Sequence, residues 1–409
     1  MRQSRAGSWI GLWIAGLGFF AIAVATLTPA DGGGGATSRL CLICHSRGMA
    51  DFLSNIILFM PLAFGLALHG WSLRRTALAA VLLSLVIESL QVRMIAGRDS
   101  NLGDLAANSL GGVTGWLVWR TSDWWRPRQH AALARTLSVA GATLAVLIGA
   151  LTLLVPAPQS TMYFMQWTAD LGRLEHYDGQ VLESRLGPVE LHGSTRVEPG
   201  PTVRQLLLEP SWNVRFIAGH PPSALAPIVS IYDNFQQEVV LLGADDVDLI
   251  HRQRLRAGAL RFDQPDLRVW SALASMQPGD TVTLAWRADR KSTCVTVNQR
   301  EACRYGFTVG DTWALLMFPD SWGRGARTAM SVAWLFGIFL PAGFLGYRRN
   351  HTLIGSVLVL ATLVAVPPVL GFAMTPAHQV VMALAGLVSG HLAAVTLRNR
   401  TPEREYQAL

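Results

Sequence analysis

The sequence predicts a membrane α-helical bundle of about eight transmembrane helices carrying one inserted all-β sandwich, and three observations support this. Of the 409 residues, 51% are hydrophobic and only 15% charged, and the mean hydropathy is +0.31, too apolar for an ordinary soluble chain. Apolar runs of spanning length recur along the sequence. Between the fifth and sixth of them, residues 157–325 switch to short alternating runs.

Runs of about 17 to 25 apolar residues, enough to cross a bilayer, begin near Trp9, Asp51, Thr76, Asp104, Thr136, Ala326, Leu353 and Ala377. Pro367 and Pro368 interrupt the stretch containing the last two, as a loop or a kink. Residues 1–135 are read as a four-helix membrane domain, 136–156 as a fifth span, 157–325 as the sandwich and 326–409 as the last spans with a tail.

The formal charge of +7 does not indicate nucleic acid, whose binders concentrate Lys and Arg on one soluble face. Arginine instead marks alternate connections: Arg2, Arg5, Arg74, Arg75, Arg120, Arg126, Arg128, Arg135, Arg348, Arg349, Arg398, Arg400 and Arg404 fall in one phase, and only Arg39, Arg47, Arg93 and Arg98 in the other. Positive-inside bias then predicts an inner-membrane protein with both termini cytoplasmic and residues 157–325 outside. A cleaved signal peptide ending near Ala30 is the alternative for the first run, but residues 9–27 exceed the usual signal core.

Residues 205–208, 228–232, 239–242, 281–286 and 294–297 are separated by turn residues, the pattern of a sandwich. Cys294 and Cys303 flank a segment whose Asn298 and Gln299 suit a hairpin tip, so a disulfide is expected there in an oxidising compartment.

Candidate chemistry concentrates in residues 51–115. Asp51 and Asn55, Glu88 and Gln91, and Asp104 and Asn108 are each three or four apart, so each pair shares a helix face, and the alternating topology brings all six to one depth. Arg98 and Asp99 lie in the loop above. Groups of this kind inside a span cost several kcal/mol unless paired, and they mark wet cavities or functional sites. The bland alternative is a set of interhelical hydrogen bonds, with Asp51 and Asp104 serving as helix caps.

The run Asp51-Phe-Leu-Ser-Asn55-Ile-Ile-Leu-Phe59-Met-Pro61-Leu, the step Ile87-Glu88-Ser-Leu-Gln91, and Gly97-Arg98-Asp99-Ser-Asn-Leu-Gly-Asp104-Leu-Ala-Ala-Asn108-Ser-Leu-Gly111-Gly together resemble the VanZ-like family over residues of about 9–120. The family's name links it to teicoplanin resistance. The resemblance therefore implies a role at the cell envelope and names no reaction.

Cys41-Leu-Ile-Cys44-His45 spells a haem-attachment pattern, yet the loop is short and runs beside Asp31 and four glycines, so no cofactor is expected. A local disulfide between Cys41 and Cys44 is preferred, with metal binding by Cys41, Cys44 and His45 as the other reading.

The segments Ile228-Val-Ser-Ile-Tyr232-Asp233, Asp248-Leu-Ile-His-Arg252-Gln-Arg254-Leu-Arg256 and Thr281-Val-Thr-Leu-Ala-Trp286 resemble a concanavalin-A-like or laminin-G-like sandwich, folds that often bind glycans. Arg252, Arg254 and Arg256 alternate, so on one strand they would share a face and meet an anionic polymer, or form a solvated face. Trp212, Tyr232, Trp270, Trp286 and Trp313 are stacking candidates that equally suit a core. Asp233 with Asn234, and Asp245, Asp246 and Asp248, offer oxygen ligands at spacing too unspecific to assign a metal. Hydrolase and nucleotide-loop signatures are missing from the sequence.

These features predict an envelope protein that binds or processes a glycan or lipid-linked glycan, with membrane lipid as its other partner. The alternatives are an enzyme acting on a lipid-linked substrate at the outer leaflet, with Glu88 or Asp104 as acid or base, Arg98 holding a phosphate and Asp99 as a further candidate, and an assembly protein without catalysis. A carrier is disfavoured because the polar groups sit at one depth.

Overall fold

The computed structural model describes residues 5–28, 41–94, 101–122, 131–170, 174–288 and 292–400. Two compact units are distinguished: Met1–Arg126 with Gly258–Asp263 and Leu315–Met317, and Pro127–Ala257 with Gln264–Ala314 and Phe318–Leu409.

The first unit is built on four helices, α1 (Arg5–Leu27), α2 (Gly48–His69), α3 (Leu73–Met94) and α4 (Leu102–Arg120). Ile22, Phe59, Leu62, Ala80 and Ile87 form its apolar core. Small residues set the spacing. A Cβ on Gly111 would lie 2.5 Å from the Ile56 carbonyl oxygen and one on Gly115 2.3 Å from that of Met60, so α2 and α4 touch backbone to backbone through a small-xxx-small stripe. The N-terminus of α2 is closed by the carbonyl of Arg261, which accepts from the amides of Met49 and Ala50, while Arg47 pairs with Asp263 at 2.8 Å.

The second unit combines four further long helices with the sandwich. These are α5 (Ala132–Leu153), α8 (Arg324–Phe344), α9 (Arg349–Val369) and α10 (Ala377–Arg400), with short α6 (Gly200–Leu206) and α7 (Arg256–Ala259) inside the sandwich sequence. Pro367 and Pro368 fall in the last turn of α9, so they end a helix rather than kink one. The last three helices do pack together, and α9 also packs on α5.

Among the described residues seven helices are long and apolar enough to cross a membrane, and α4 is not one of them. All eight expected segments are helical, but the Asp104, Asn108 and Ser109 side chains and four glycines make α4 too polar. Its place is held by the close fit to α2. The chain is a multi-pass membrane protein.

Among the described residues twelve strands form two six-stranded antiparallel sheets. The first runs β4 (Thr195–Val197), β1 (Tyr163–Trp167), β6 (Ala226–Asp233), β7 (Glu238–Asp245), β8 (Asp248–Gln253), β9 (Leu267–Val269). The second runs β12 (Arg300–Tyr305), β11 (Thr293–Val297), β10 (Thr281–Ala288), β5 (Ser211–Ile217), β2 (Gln180–Leu186), β3 (Val189–Leu191). Both contribute to one core containing Tyr163, Ile231, Leu242, Trp212, Phe216 and Trp286, as expected of a sandwich. Strand β5 alternates buried and exposed positions, whereas β6 to β8 are buried almost throughout. Leu174 and Leu225 pack with Leu241 and Ile250 in a separate cluster, which accounts for the continuous rather than alternating apolar runs there.

Candidate functional site

In the helical unit the polar cluster is a set of specific bonds. Asn101 caps α4, its side-chain oxygen accepting from the Asp104 amide at 3.0 Å. The Asp104 carboxylate accepts from Asn101 Nδ2 at 2.7 Å and from Asn55 Nδ2 at 2.8 Å, which joins the starts of α2 and α4. One turn deeper, Asn108 donates to Ser84 Oγ at 2.9 Å, tying α4 to α3. Gln91 donates to the Thr26 carbonyl at 3.0 Å, tying α3 to α1. Both Asn108 and Gln91 are buried.

Of the candidate residues the structure brings Asn55 and Asp104 into contact, while Asn108 meets Ser84 instead. Gln91 is engaged with α1. Glu88 is half-buried on the α3 face that also carries Ser84 and Gln91, and Asp51 is exposed in the first turn of α2. Arg98 and Asp99 lie outside the described residues. Asn101, which the sequence reading passed over, is the capping residue. Its position three residues before Asp104 was the available signal.

Cys41 and Cys44 are bonded to each other, which selects the disulfide among the readings left open. Cys294 and Cys303 are bonded as expected. Strands β11 and β12 form the hairpin, Val297 facing Arg300 across Asn298 and Gln299.

Arg252, Arg254 and Arg256 do not share a strand, because β8 ends at Gln253. Arg254 turns to Asp233 at 2.8 Å and to the Glu238 carbonyl at 2.9 Å, Arg256 opens α7, and Arg252 alone stays in β8. The pairing with Arg254, with the amides of Phe235 and Gln237, holds the Asp233 carboxyl below its ordinary range against the opposing effect of burial. Asp245 and Asp248 both bind the Arg268 guanidinium, Asp248 at 3.0 Å. The aspartates considered for calcium are thus largely committed to arginine.

The stacking candidates divide by burial. Trp212, Trp286 and Trp313 are core residues, with Trp286 stacked on His251 from the facing sheet at 4.3 Å between centroids. Burial pushes the His251 imidazole down to about 3 and, as the leading cause, raises the Tyr232 hydroxyl to about 12. Trp270 is different. Half-buried, it is gripped by the Arg268 and Arg327 guanidiniums at 5.0 and 5.7 Å from its ring centroid, and it lines a cleft of about 310 Å³ with Ser271, Arg300 and Tyr305. This cleft lies between two sheet edges, β9 of the first sheet and β12 of the second.

A buried polar network also escaped the sequence. Asp311 accepts from Thr308 Oγ1 at 2.7 Å and from Ser331 Oγ at 2.9 Å, Trp313 donates to Ser331, and Gln379 donates to Thr308. It joins the 3-10 turn Val309–Leu315 to α8 and α10. These residues are scattered in sequence and carry no motif.

No curated protein and no solved structure matches the chain. Residues 11–125 match a family model described as VanZ/LLP1, the stretch that holds Asn55, Glu88, Gln91, Asp104 and Asn108. The chain therefore carries a VanZ/LLP1 family-model domain over residues 11–125.

Proposed function

We propose that this protein is an inner-membrane component of the cell envelope whose outer sandwich captures a glycan or lipid-linked glycan, with both termini cytoplasmic. The cleft formed by Trp270, Tyr305, Arg300 and Ser271 carries this reading. Aromatic walls flanked by a few convergent polar groups suit a polyhydroxylated ligand, and Trp270 is immobilised by two arginines before any ligand arrives, which lowers the ordering cost of binding. The distribution of arginine between the helices supports the orientation. The VanZ/LLP1 match supports a link to glycopeptide sensitivity.

The test is titration of the purified full-length protein with soluble peptidoglycan fragments, alongside teicoplanin sensitivity of cells producing each variant. Trp270→Ala is expected to abolish binding and the phenotype together while the protein still accumulates. Undiminished binding by that variant would remove the cleft from the reading.

In this proposal the polar cluster of α2, α3 and α4 fastens helices. Both Asp104 oxygens receive amide donors, a geometry that suits a fixed tie better than a proton shuttle.

A further inference from the structure

A second cleft lies beside the end of α5. Its volume is about 610 Å³, and it is lined by residues just past the helix, among them Ser160 and Thr161, by Arg204, Gln205 and Leu208 around α6, and by Arg256.

Backbone bonds set its depth. Arg256 donates its amide to the Val155 carbonyl at 2.9 Å, Ala157 donates to that of Arg254 at 2.9 Å, and Pro156 and Leu255 form an antiparallel bridge. Val155 lies two residues beyond the last residue of α5, an apolar candidate span. Arg256 is therefore held one ladder spacing, about 5 Å, from the chain leaving the membrane. The headgroup layer begins where the hydrocarbon ends and is about 5–8 Å deep on each side, so the cleft opens at headgroup depth.

The charge is one-sided. Arg204 and Arg256 make no ion pair among the described residues, and no acidic residue is among those described as lining the cleft. Guanidinium groups match phosphate oxygens in pairs of hydrogen bonds, and two of them lining one cleft with no acidic residue among its described lining make it attractive to an anion. Leu208, 42% exposed, adds an apolar wall suited to a glycerol backbone or the first methylenes of an acyl chain.

We infer that this cleft binds the phosphate of an anionic phospholipid headgroup, with Arg204 and Arg256 as its two cationic contacts. Ser160, Thr161 and Gln205 supply the polar surroundings. The site anchors the sandwich end of α5 to the lipid surface and is separate from the aromatic cleft at the sheet edges.

The experiment uses the full-length protein in neutral detergent, with thermal midpoint and native mass spectrometry as readouts and three probes: dioleoyl phosphatidylglycerol, dioleoyl phosphatidylcholine and inorganic phosphate. Phosphatidylglycerol is expected to raise the midpoint and remain bound, phosphatidylcholine to do so far less, and phosphate alone to leave the midpoint unchanged. Arg204→Gln or Arg256→Gln should weaken phosphatidylglycerol binding about tenfold each, the double variant should lose the response, and the Lys variants should keep most of it. An equal response to phosphatidylcholine, a full response to phosphate alone, or a double variant that still responds to phosphatidylglycerol overturns the assignment. Should the double variant fail to fold, wild-type protein in vesicles of phosphatidylcholine and photoactivatable phosphatidylglycerol decides the matter. Labelling within residues 156–161 or 201–208 or at Arg256 supports the site, and labelling confined elsewhere overturns it.

Discussion

The Asn55 amide reaches the Asp104 carboxylate at 2.8 Å, so a residue in the second turn of one helix fastens the first turn of another, and Asn101 holds the remaining oxygen of the same carboxylate. Asn55→Leu and Asp104→Asn are therefore expected to lower stability by about 1–2 kcal/mol each, and their combination should cost less than the sum because one bond is shared. Thermal midpoints in detergent test this. Additive losses would show that the two residues act separately.

The glycine stripe predicts a sharper effect. Gly115→Ala places a methyl 2.3 Å from the Met60 carbonyl oxygen, forcing α2 and α4 apart, and should cost more than about 2 kcal/mol. Gly141→Ala meets nothing within 4 Å on α5 and should be neutral or slightly stabilising. Equal membrane abundance of the two variants would argue against close α2–α4 packing.

Acid should destabilise the sandwich through His251. Unfolded, the imidazole titrates near 6.5, and folded only near 3. Above pH 6.5 neither state is protonated and stability is unaffected. Between 6.5 and 3 only the unfolded chain takes the proton, so stability falls as pH falls, by about 3 kcal/mol at pH 4. A His251→Phe protein should show a flatter dependence in melts from pH 7 to pH 4, and parallel slopes would refute the assignment.

Two ion pairs of equal length should differ in worth. Arg254 and Asp233 meet at 2.8 Å with side-chain exposures of 17% and 4%, while Arg196 and Glu198 meet at 2.8 Å in solvent. Arg254→Ala leaves a buried carboxylate and should cost about 3 kcal/mol, whereas Arg196→Ala should change stability by less than about 1 kcal/mol. Chemical denaturation of the two variants compares them directly.

Loss of the Cys294–Cys303 bond in a Cys294→Ser/Cys303→Ser protein frees a loop of nine-residue separation and should cost about 2–3 kcal/mol by loop entropy. Because β11 and β12 supply Val295, Arg300 and Tyr305 to the aromatic cleft, glycan titration should weaken with it. Unchanged affinity would place the ligand elsewhere.

Helices and sandwich were legible because spanning length and strand alternation are local properties of sequence, and the Cys294–Cys303 staple because its hairpin is local as well. Asn55 and Asp104 were legible as a group through helical spacing and alternating topology. The partners of Arg254 and Arg268 were not, since Asp233 and Asp245 come from other strands and only the sheet order brings them near. The pairing of Gln91 with Thr26 was equally hidden, because spacing along α3 says nothing about which neighbour its face meets. Gly111 and Gly115 stood in plain view, but their role depends on how near α2 comes.

The strand order also has a consequence for biogenesis. Strand β5 pairs with β2 and, on its other side, with β10 (Thr281–Ala288), some seventy positions further along, and β1 waits for β6 over a similar interval. Neither sheet can close until most of the segment has been synthesised, and the next span, α8, begins at Arg324. Closure of the sandwich and insertion of the remaining helices thus fall close together in time, and until their late partners arrive β1 and β5 each expose an unpaired edge of the kind that chaperones guard.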